Sequence, residues 1–293
     1  MPAAVIDGKA ISQSLRDQLK ADIAKLKEAQ PAVNPKLALI QVGTRSDSSS
    51  YIRLKQKAAA EAGIEFALHQ FPETATLNDI LSQIQILNED NSVHGLLVQL
   101  PLPEHIDEAL VIDAISPKKD VDGLHPVNVG KLVVRGSAPL IQPCTPKGIM
   151  ELIRSTGITI EGKNATVVGR GDLVGAPMSL LLTSANATVT LCHTKTSDIV
   201  DHIKRADILV VAIGQANYVQ GDWIKPGAVV IDVGMNYVPD SSKKSGYRTV
   251  GDVDYAAASK VAGHITPVPG GVGPMTVAML MDNVYLVAKS SSQ

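Results

Sequence analysis

The sequence predicts an α/β protein of two domains, the second a Rossmann-like doubly wound parallel sheet. Three observations predict it. Apolar segments of strand length alternate with amphipathic segments of helix length through most of the 293 residues, a pattern that favours parallel strands joined by crossover helices. The alternation runs twice, with Pro143-Cys144-Thr145-Pro146 between the two series. The second series contains a glycine-rich turn, Gly169-Arg170-Gly171-Asp172-Leu173-Val174-Gly175, between an apolar strand and a helix.

In order, Ile11, Leu15, Leu19, Ile23 and Leu26 recur at helical spacing and predict an amphipathic first helix. Residues 37–42 read as a buried strand, 47–62 as a helix ended by Gly63, 64–71 as a strand and 77–87 as a helix. Residues 95–100 form the next strand, stopped by Pro101 and Pro103, and 104–115 return to helix. In the second series, 147–155 and 175–182 are helices, while 165–169, 188–192, 207–212 and 228–233 are strands. Residues 238–248 are polar and read as a loop. The last helix, from Met275 to about Ala288, is expected to return to the first domain, and 290–293 to be a frayed end or the start of a linker. Residues 1–146, completed by 274–293, form one expected domain and 147–273 the other.

Bulk composition narrows the function classes. Charged residues make up 19% and the formal net charge is −2, which argues against general nucleic-acid binding. Aromatic content is 3%, so aliphatic side chains must fill the cores. Cys144 and Cys192 lie far apart without metal-ligand spacing and read as small buried thiols in a reducing compartment. The histidines show no ligand grouping, so no metal is expected. The first residues lack the regions of a signal peptide, and no apolar run reaches the roughly 20 residues of a membrane span. The cytoplasm is the expected location.

The glycine turn suits a pyrophosphate, because small residues admit the backbone and the next helix N-terminus favours negative charge. An acidic residue about 20 positions past the first glycine would favour NAD. Residues 191–196 contain no carboxylate and instead carry His193, Thr194, Lys195 and Thr196. With Arg170 in the turn, this set fits a 2′-phosphate and points to NADP. Asp172 in the turn points the other way, toward NAD, unless it caps the following helix. A tight structural turn and a solvated polar loop are the plainer alternatives.

Tyr51 and Lys55 lie four residues apart on a helix, so their polar ends can converge on one molecule. Partial burial, or a cationic substrate, favours a neutral amine, which can act as a base. Gln99 lies at a strand end, where open α/β sheets hold ligands. Its amide can orient Lys55 without neutralising it. Asp122, in an Asp-rich turn ended by Gly123, can accept hydrogen bonds from a flat heterocycle, and Asp120 reads as structural. The Gly/Pro loop of residues 267–273 offers bare backbone groups to a ligand. Each residue also has a plainer role: surface charge, strand-end tie or turn.

Longer ordered motifs carry a resemblance. Val42-Gly43 with Ser48 and the Tyr51/Lys55 pair, residues 93–102, Lys119-Asp120-Val121-Asp122-Gly123, residues 143–148, residues 174–178 and residues 265–276 together cover nearly the whole chain. The chain resembles the bifunctional NADP-dependent methylenetetrahydrofolate dehydrogenase/methenyltetrahydrofolate cyclohydrolases. The resemblance implies oxidation of 5,10-methylenetetrahydrofolate with NADP, then hydrolysis to 10-formyltetrahydrofolate, a one-carbon donor of purine biosynthesis. It implies that Lys55 transfers the proton of the hydrolysis, that Gln99 tunes it, that Tyr51 lines the folate pocket and that Asp122 anchors the pterin. Ser48 and the loop Pro269, Gly270, Gly271, Val272 and Gly273 would also bind substrate. Gly169, Arg170, Gly171, Thr194 and Met235 fall at NADP-contacting positions. Gly171 stands where relatives usually have serine, and Thr194 replaces a frequent serine but keeps the hydroxyl. Family members are commonly homodimers. The chain would be either a free-standing enzyme or the front of a trifunctional one.

Overall fold

The computed structural model describes residues 2–134, 139–243 and 246–291. In chain order its elements are β1 (Ala4–Val5), α1 (Gly8–Ala29), β2 (Lys36–Val42), α2 (Ser46–Ala62), β3 (Glu65–Phe71), α3 (Leu77–Glu89), β4 (Gly95–Val98), α4 (Glu108–Ala114), α5 (Pro126–Lys131) and α6 (Cys144–Ser155). They continue as β5 (Asn164–Val168), α7 (Gly175–Ser184), β6 (Thr188–Cys192), α8 (Ile199–Lys204), β7 (Ile208–Val211), β8 (Val229–Asp232), β9 (Asn236–Pro239), β10 (Tyr247–Val250), α9 (Tyr255–Ala258), β11 (His264–Ile265) and α10 (Val272–Ser290).

The chain divides into two compact units. One comprises Gln13–Cys144 and Val277–Gln293, and the other Met1–Ser12 and Thr145–Thr276. In the first, β2 lies between β3 and β4, all parallel. Six of the seven residues of β2 are buried, as a strand covered on both faces requires. Ala38, Ile40, Leu96 and Val98 pack on Ile80, Ile84 and Leu87 of α3 and Val111 of α4. Local chemistry sets the helix limits. Gly63 ends α2 at φ 79°, donating to the carbonyls of Ala59 and Ala60. Thr76 and Asp79 form a reciprocal capping box at the start of α3. α4 begins at Glu108 rather than Glu104, because the Asp107 carboxylate takes the N–H groups of Ala109 and Leu110.

The second unit holds a six-stranded parallel sheet ordered β1-β11-β8-β7-β5-β6. This is the doubly wound pattern, with the strand order reversing between β5 and β7. β1 and β11 contribute two residues each, too few to show a period in sequence. Through β1 the first twelve residues cluster with this unit, whereas the sequence pattern places them with the other. The expected loop at 238–248 is instead an antiparallel ribbon of β9 and β10, with residues 244 and 245 outside the described set. Its polar residues mark a ribbon exposed to water, and Tyr237 and Tyr247 meet edge to face at 5.0 Å. The last helix starts at Val272, three residues before expected, because a proline such as Pro274 is tolerated in a first turn. Of residues 290–293, Ser290 closes α10, and 292 and 293 lie outside the described set. No helix among the described residues is long and apolar enough to cross a membrane.

The C-terminal helix is tied into the first unit by Asn283, which is fully buried. Its Nδ2 donates to the carbonyls of Val121 and Gln142 at 2.8 and 2.9 Å. Asn283→Ala should lower the unfolding free energy by about 1–3 kcal/mol, since the Gln142 carbonyl loses its donor and the Val121 carbonyl keeps only the Cys144 thiol. Urea unfolding checks this; an unmoved midpoint would mean that other donors replace the amide.

Candidate functional site

Lys55 lies on the inner face of α2. Ser48, Ile52, Lys55, Ala59 and Ala62 follow helical spacing and are all buried, Lys55 with 9% exposure. A surface lysine would not fall on this stripe. Its Nζ donates to Gln99 Oε1 at 3.0 Å, across 44 residues of sequence. Gln99 follows the last residue of β4, and its own Nε2 donates to the Leu100 carbonyl at 2.8 Å. That second bond fixes the amide so that its oxygen faces the amine. In the order β3-β2-β4 the connections diverge between β2 and β4, so Gln99 stands at the carboxyl edge where such sheets bind ligands. Tyr51 is half-buried one turn before Lys55, and Ser48 is buried one turn before Tyr51.

The segment 120–122 runs beside β4. Asp120 forms a parallel bridge with Leu96, so the chain carries Asp122 toward the end at which Gln99 sits. Asp120 is structural, as its setting in the sequence suggests. Its carboxylate accepts the N–H groups of Gly123, Leu124 and His125 and the Asn128 amide. Burial pushes its pKa up, against the pull of those donors. Asp122 is half-buried, and its backbone carbonyl accepts from Cys144 at 3.2 Å.

In the other unit, the glycine turn leaves β5 at the point where strand order reverses. Gly169 has φ 113° and donates to the Cys192 carbonyl at 2.9 Å. A Cβ on Gly169 would strike the Ala212 carbonyl, and one on Gly175 would strike the Gly169 carbonyl. Both glycines are therefore required by close backbone approach. Gly171 is exposed with open space around it, so a serine there would meet nothing. Asp172 is not the cap of α7; that position is Val174, which makes no side-chain cap bond. Arg170, Thr194 and Lys195 are exposed at the ends of β5 and β6, and Met235, after β8, is 45% exposed. The loop 269–273 packs on the start of α1. Lys9 N–H donates to the Gly270 carbonyl at 3.1 Å, and a Cβ on Gly8 would strike the Gly271 carbonyl. Val272 and Gly273 lie in the first turn of α10, while Pro269 is exposed.

Residues 6–122 match the family model of the tetrahydrofolate dehydrogenase/cyclohydrolase catalytic domain, and residues 143–292 match that of its NAD(P)-binding domain. The chain belongs to the tetrahydrofolate dehydrogenase/cyclohydrolase family. It is 54% identical over 287 residues to bifunctional protein FolD 2 of Arabidopsis thaliana, covering 98% of this chain and 96% of that relative. It is 51% identical over 282 residues to the cytoplasmic C-1-tetrahydrofolate synthase of Schizosaccharomyces pombe, covering 96% of this chain but 30% of that longer relative. The crystal structure of Trypanosoma brucei N5,N10-methylenetetrahydrofolate dehydrogenase-cyclohydrolase, complexed with NADP cofactor and inhibitor, matches with a TM-score of 0.96 at 45% identity, covering 100% of this chain and 99% of that one.

At the carboxyl edge of the six-stranded sheet, Asp232 is a group that the sequence pattern did not single out. Asp232, the last residue of β8, is 3% exposed. Its carboxylate accepts from the N–H groups of Gly234, Asp252 and Val253 at 3.0, 2.9 and 2.9 Å. A Cβ on Gly251 would strike it. A cavity of about 500 Å³ opens on the same corner, lined among others by Asp232, Gly251, Pro267 and Val268. The available signal was an acidic residue at a strand's carboxyl end followed by glycine two positions on. Burial pushes the Asp232 pKa up from 3.8 to about 6; the three donors oppose this, and the nearby Asp252 carboxylate adds to it.

Between those two values the folded chain keeps a proton that the unfolded chain releases. The contribution of Asp232 is therefore full below pH 3.8 and is lost as pH rises through about 6. The full span corresponds to about 3 kcal/mol. Asp232→Asn removes this titration and one acceptor, so its melting temperature should fall furthest below wild type near pH 4 and recover toward it near pH 7. Thermal melts across that range test this, and a deficit that ignores pH would contradict it.

Proposed function

We propose that the chain, as a homodimer in the cytoplasm, oxidises 5,10-methylenetetrahydrofolate to 5,10-methenyltetrahydrofolate with NADP and then hydrolyses that product to 10-formyltetrahydrofolate, with Lys55 moving the proton of the hydrolysis. The observation that carries the reading is the buried Lys55 amine held on the Gln99 amide oxygen at 3.0 Å. An amide orients an amine without pairing it with a negative charge, whereas a carboxylate in its place would hold it as ammonium. Family membership and the solved relative complexed with NADP support the reaction and its cofactor. The homodimer rests on the family resemblance, and the cytoplasm on the relatives named cytoplasmic, beside others named mitochondrial or chloroplastic; light scattering and tagged localisation would decide each.

The residues at the sheet edge fit the cofactor. Gly169 and Gly175 let the turn fold tightly against Ala212 and itself at the start of α7, and Gly171 leaves open backbone there for a pyrophosphate. Arg170, Thr194 and Lys195 offer exposed donors, and residues 191–196 carry no carboxylate, which suits a 2′-phosphate. Met235 supplies an exposed apolar contact at the end of β8. NADP, when bound, supplies the acceptor for the hydride. The folate nitrogens stabilise the cation left behind, so the protein's share of this step is positioning.

In the hydrolysis, water adds to the methenyl carbon and Lys55 takes its proton. The bond from that carbon to one folate nitrogen then breaks as the hydroxyl proton passes to that nitrogen, leaving the formyl group on the other, with net release of the one proton taken from water. Gln99 holds the Lys55 nitrogen in place through the cycle. Asp122 accepts hydrogen bonds from the pterin, and Tyr51 and Ser48 line its pocket. The loop Pro269 to Gly273 offers backbone groups to the substrate.

Lys55→Met should lower methenyltetrahydrofolate hydrolysis by about 100-fold or more, the usual worth of a general base, while NADP binding stays intact. Following methenyl absorbance reads the loss, and undiminished hydrolysis would remove Lys55 from the mechanism. Gln99→Glu should also slow hydrolysis, by pairing the amine with a charge. At equal subsaturating concentration the oxidation should run faster with NADP than with NAD. Initial rates measure this, and the opposite order would refute the roles given to Arg170 and Thr194.

A further inference from the structure

The loop that leaves β7 is gathered onto a single buried carboxylate. Asp252 Oδ2 accepts the N–H groups of Ile213 and Gly214 at 2.7 and 3.0 Å, and its Oδ1 accepts that of Gln215 at 2.9 Å. The Asn236 amide adds a fourth donor to Oδ1 at 2.9 Å. Asp252 is fully buried, and every one of these donors is uncharged. A buried carboxylate without a cation is costly, so a sheet that needed only a turn here would be better served by backbone pairing.

Asp252 is itself held from behind. Its N–H and that of Val253 donate to Asp232, and the Asp232 N–H donates to Thr266 Oγ1 at 2.8 Å. The ends of β11, β8 and β7 are thus linked in series. The series finishes against the glycine turn, where a Cβ on Gly169 would strike the Ala212 carbonyl and stand 3.3 Å from Ile213 Cγ2. The turn and the loop 213–215 therefore flank the reversal between β5 and β7. A dinucleotide lies across such a crevice, one mononucleotide to each half of the sheet. Thr194 and Lys195, assigned to the 2′-phosphate, belong to the β5-β6 half. The loop after β7 then faces the other mononucleotide, which carries the nicotinamide.

We propose that Asp252 is a positioning residue for the dehydrogenase reaction: by collecting the three N–H groups of residues 213–215 it fixes the crevice wall that receives the nicotinamide half of NADP. It touches neither folate nor cofactor and acts through that backbone, with Asn236 and Asp232 setting its own place. This rests on the NADP reading above.

The test uses the intact enzyme with methylenetetrahydrofolate and NADP, together with hydrolysis of methenyltetrahydrofolate in the absence of cofactor. Asp252→Asn replaces one acceptor oxygen by a donor and should raise KM for NADP about 10-fold or more, with kcat changed by less than about 3-fold. Asn236→Ala removes one of the four donors and should raise the same KM by about 2- to 5-fold. Cofactor-free hydrolysis should stay near wild type in both, a split that general loss of folding would not produce. Should Asp252→Asn fail to fold, the Asn236→Ala ratio alone decides. An unchanged KM for NADP in the variants, or hydrolysis falling in parallel with oxidation, overturns the proposal. A wild-type enzyme that does not bind NADP overturns the functional reading first, and this inference with it.

Discussion

Parallel strand pairing is the constraint from which the rest of the molecule follows. When every strand in a sheet points the same way, all of the connections that follow strands gather at one edge. The protein uses this in both of its units. In one, the edge collects Gln99 after β4 and, by way of the bridge from Leu96 to Asp120, the turn carrying Asp122. In the other, it collects the turn at Gly169, the loop 213–215, Asp232 and Met235. Residues scattered over the sequence become neighbours because the sheets leave their loops nowhere else to go.

What differs between the edges is how each is packed. At the edge of the six-stranded sheet the requirement is close approach of the chain's own backbone. Gly169 and Gly175 cannot carry a Cβ without striking a carbonyl, while Gly171 between them has open space. A glycine pattern in sequence does not separate these cases, since all three read alike. At the other edge the working group is a long side chain. Lys55 reaches Gln99 from the inner stripe of α2, and the helix can place it because Ile52, Ala58, Ala59 and Ala62 anchor the same side. An amphipathic helix that exchanges one apolar position for a lysine accepts a weaker core contact in return for an amine held inside the protein.

Much of this was readable from residue order, for identifiable reasons. Strands β2, β4, β5, β7 and β8 declared themselves as aliphatic runs, because a strand covered on both faces has no polar side to hide. The candidates Lys55, Gln99 and Asp122 were visible as residue types at helix and strand ends. The pairing of Lys55 with Gln99 follows from residue chemistry and the family resemblance, whereas the geometry that permits it depends on β4 lying beside β2 rather than beside β3. The two-residue strands β1 and β11 were too short for periodicity. The β9–β10 ribbon is exposed, so its polar composition looked like loop. Asp252 was least legible of all. In the sequence it is an acidic residue beside a glycine, the signature of any turn, and the three N–H groups that define its role lie 37 to 39 positions earlier.

The buried ionisable groups share a feature that bears on function. Lys55 faces a neutral amide, and Asp252 faces four neutral N–H groups. Among the described residues, neither is given the opposite charge that would stabilise it most simply. For the amine, a carboxylate partner would oppose loss of the proton that the proposed hydrolysis has it exchange. For the carboxylate, a single cation would satisfy one direction in space, whereas several N–H groups spread over consecutive residues fix the path of a backbone segment. Asp232 shows what this arrangement costs: placed beside Asp252 and cut off from water, it is driven to hold a proton up to about pH 6. A sheet edge built for stability alone would have replaced these groups with apolar side chains, as buried ion pairs often can be. Their retention there ties the polar architecture to what the edge must hold.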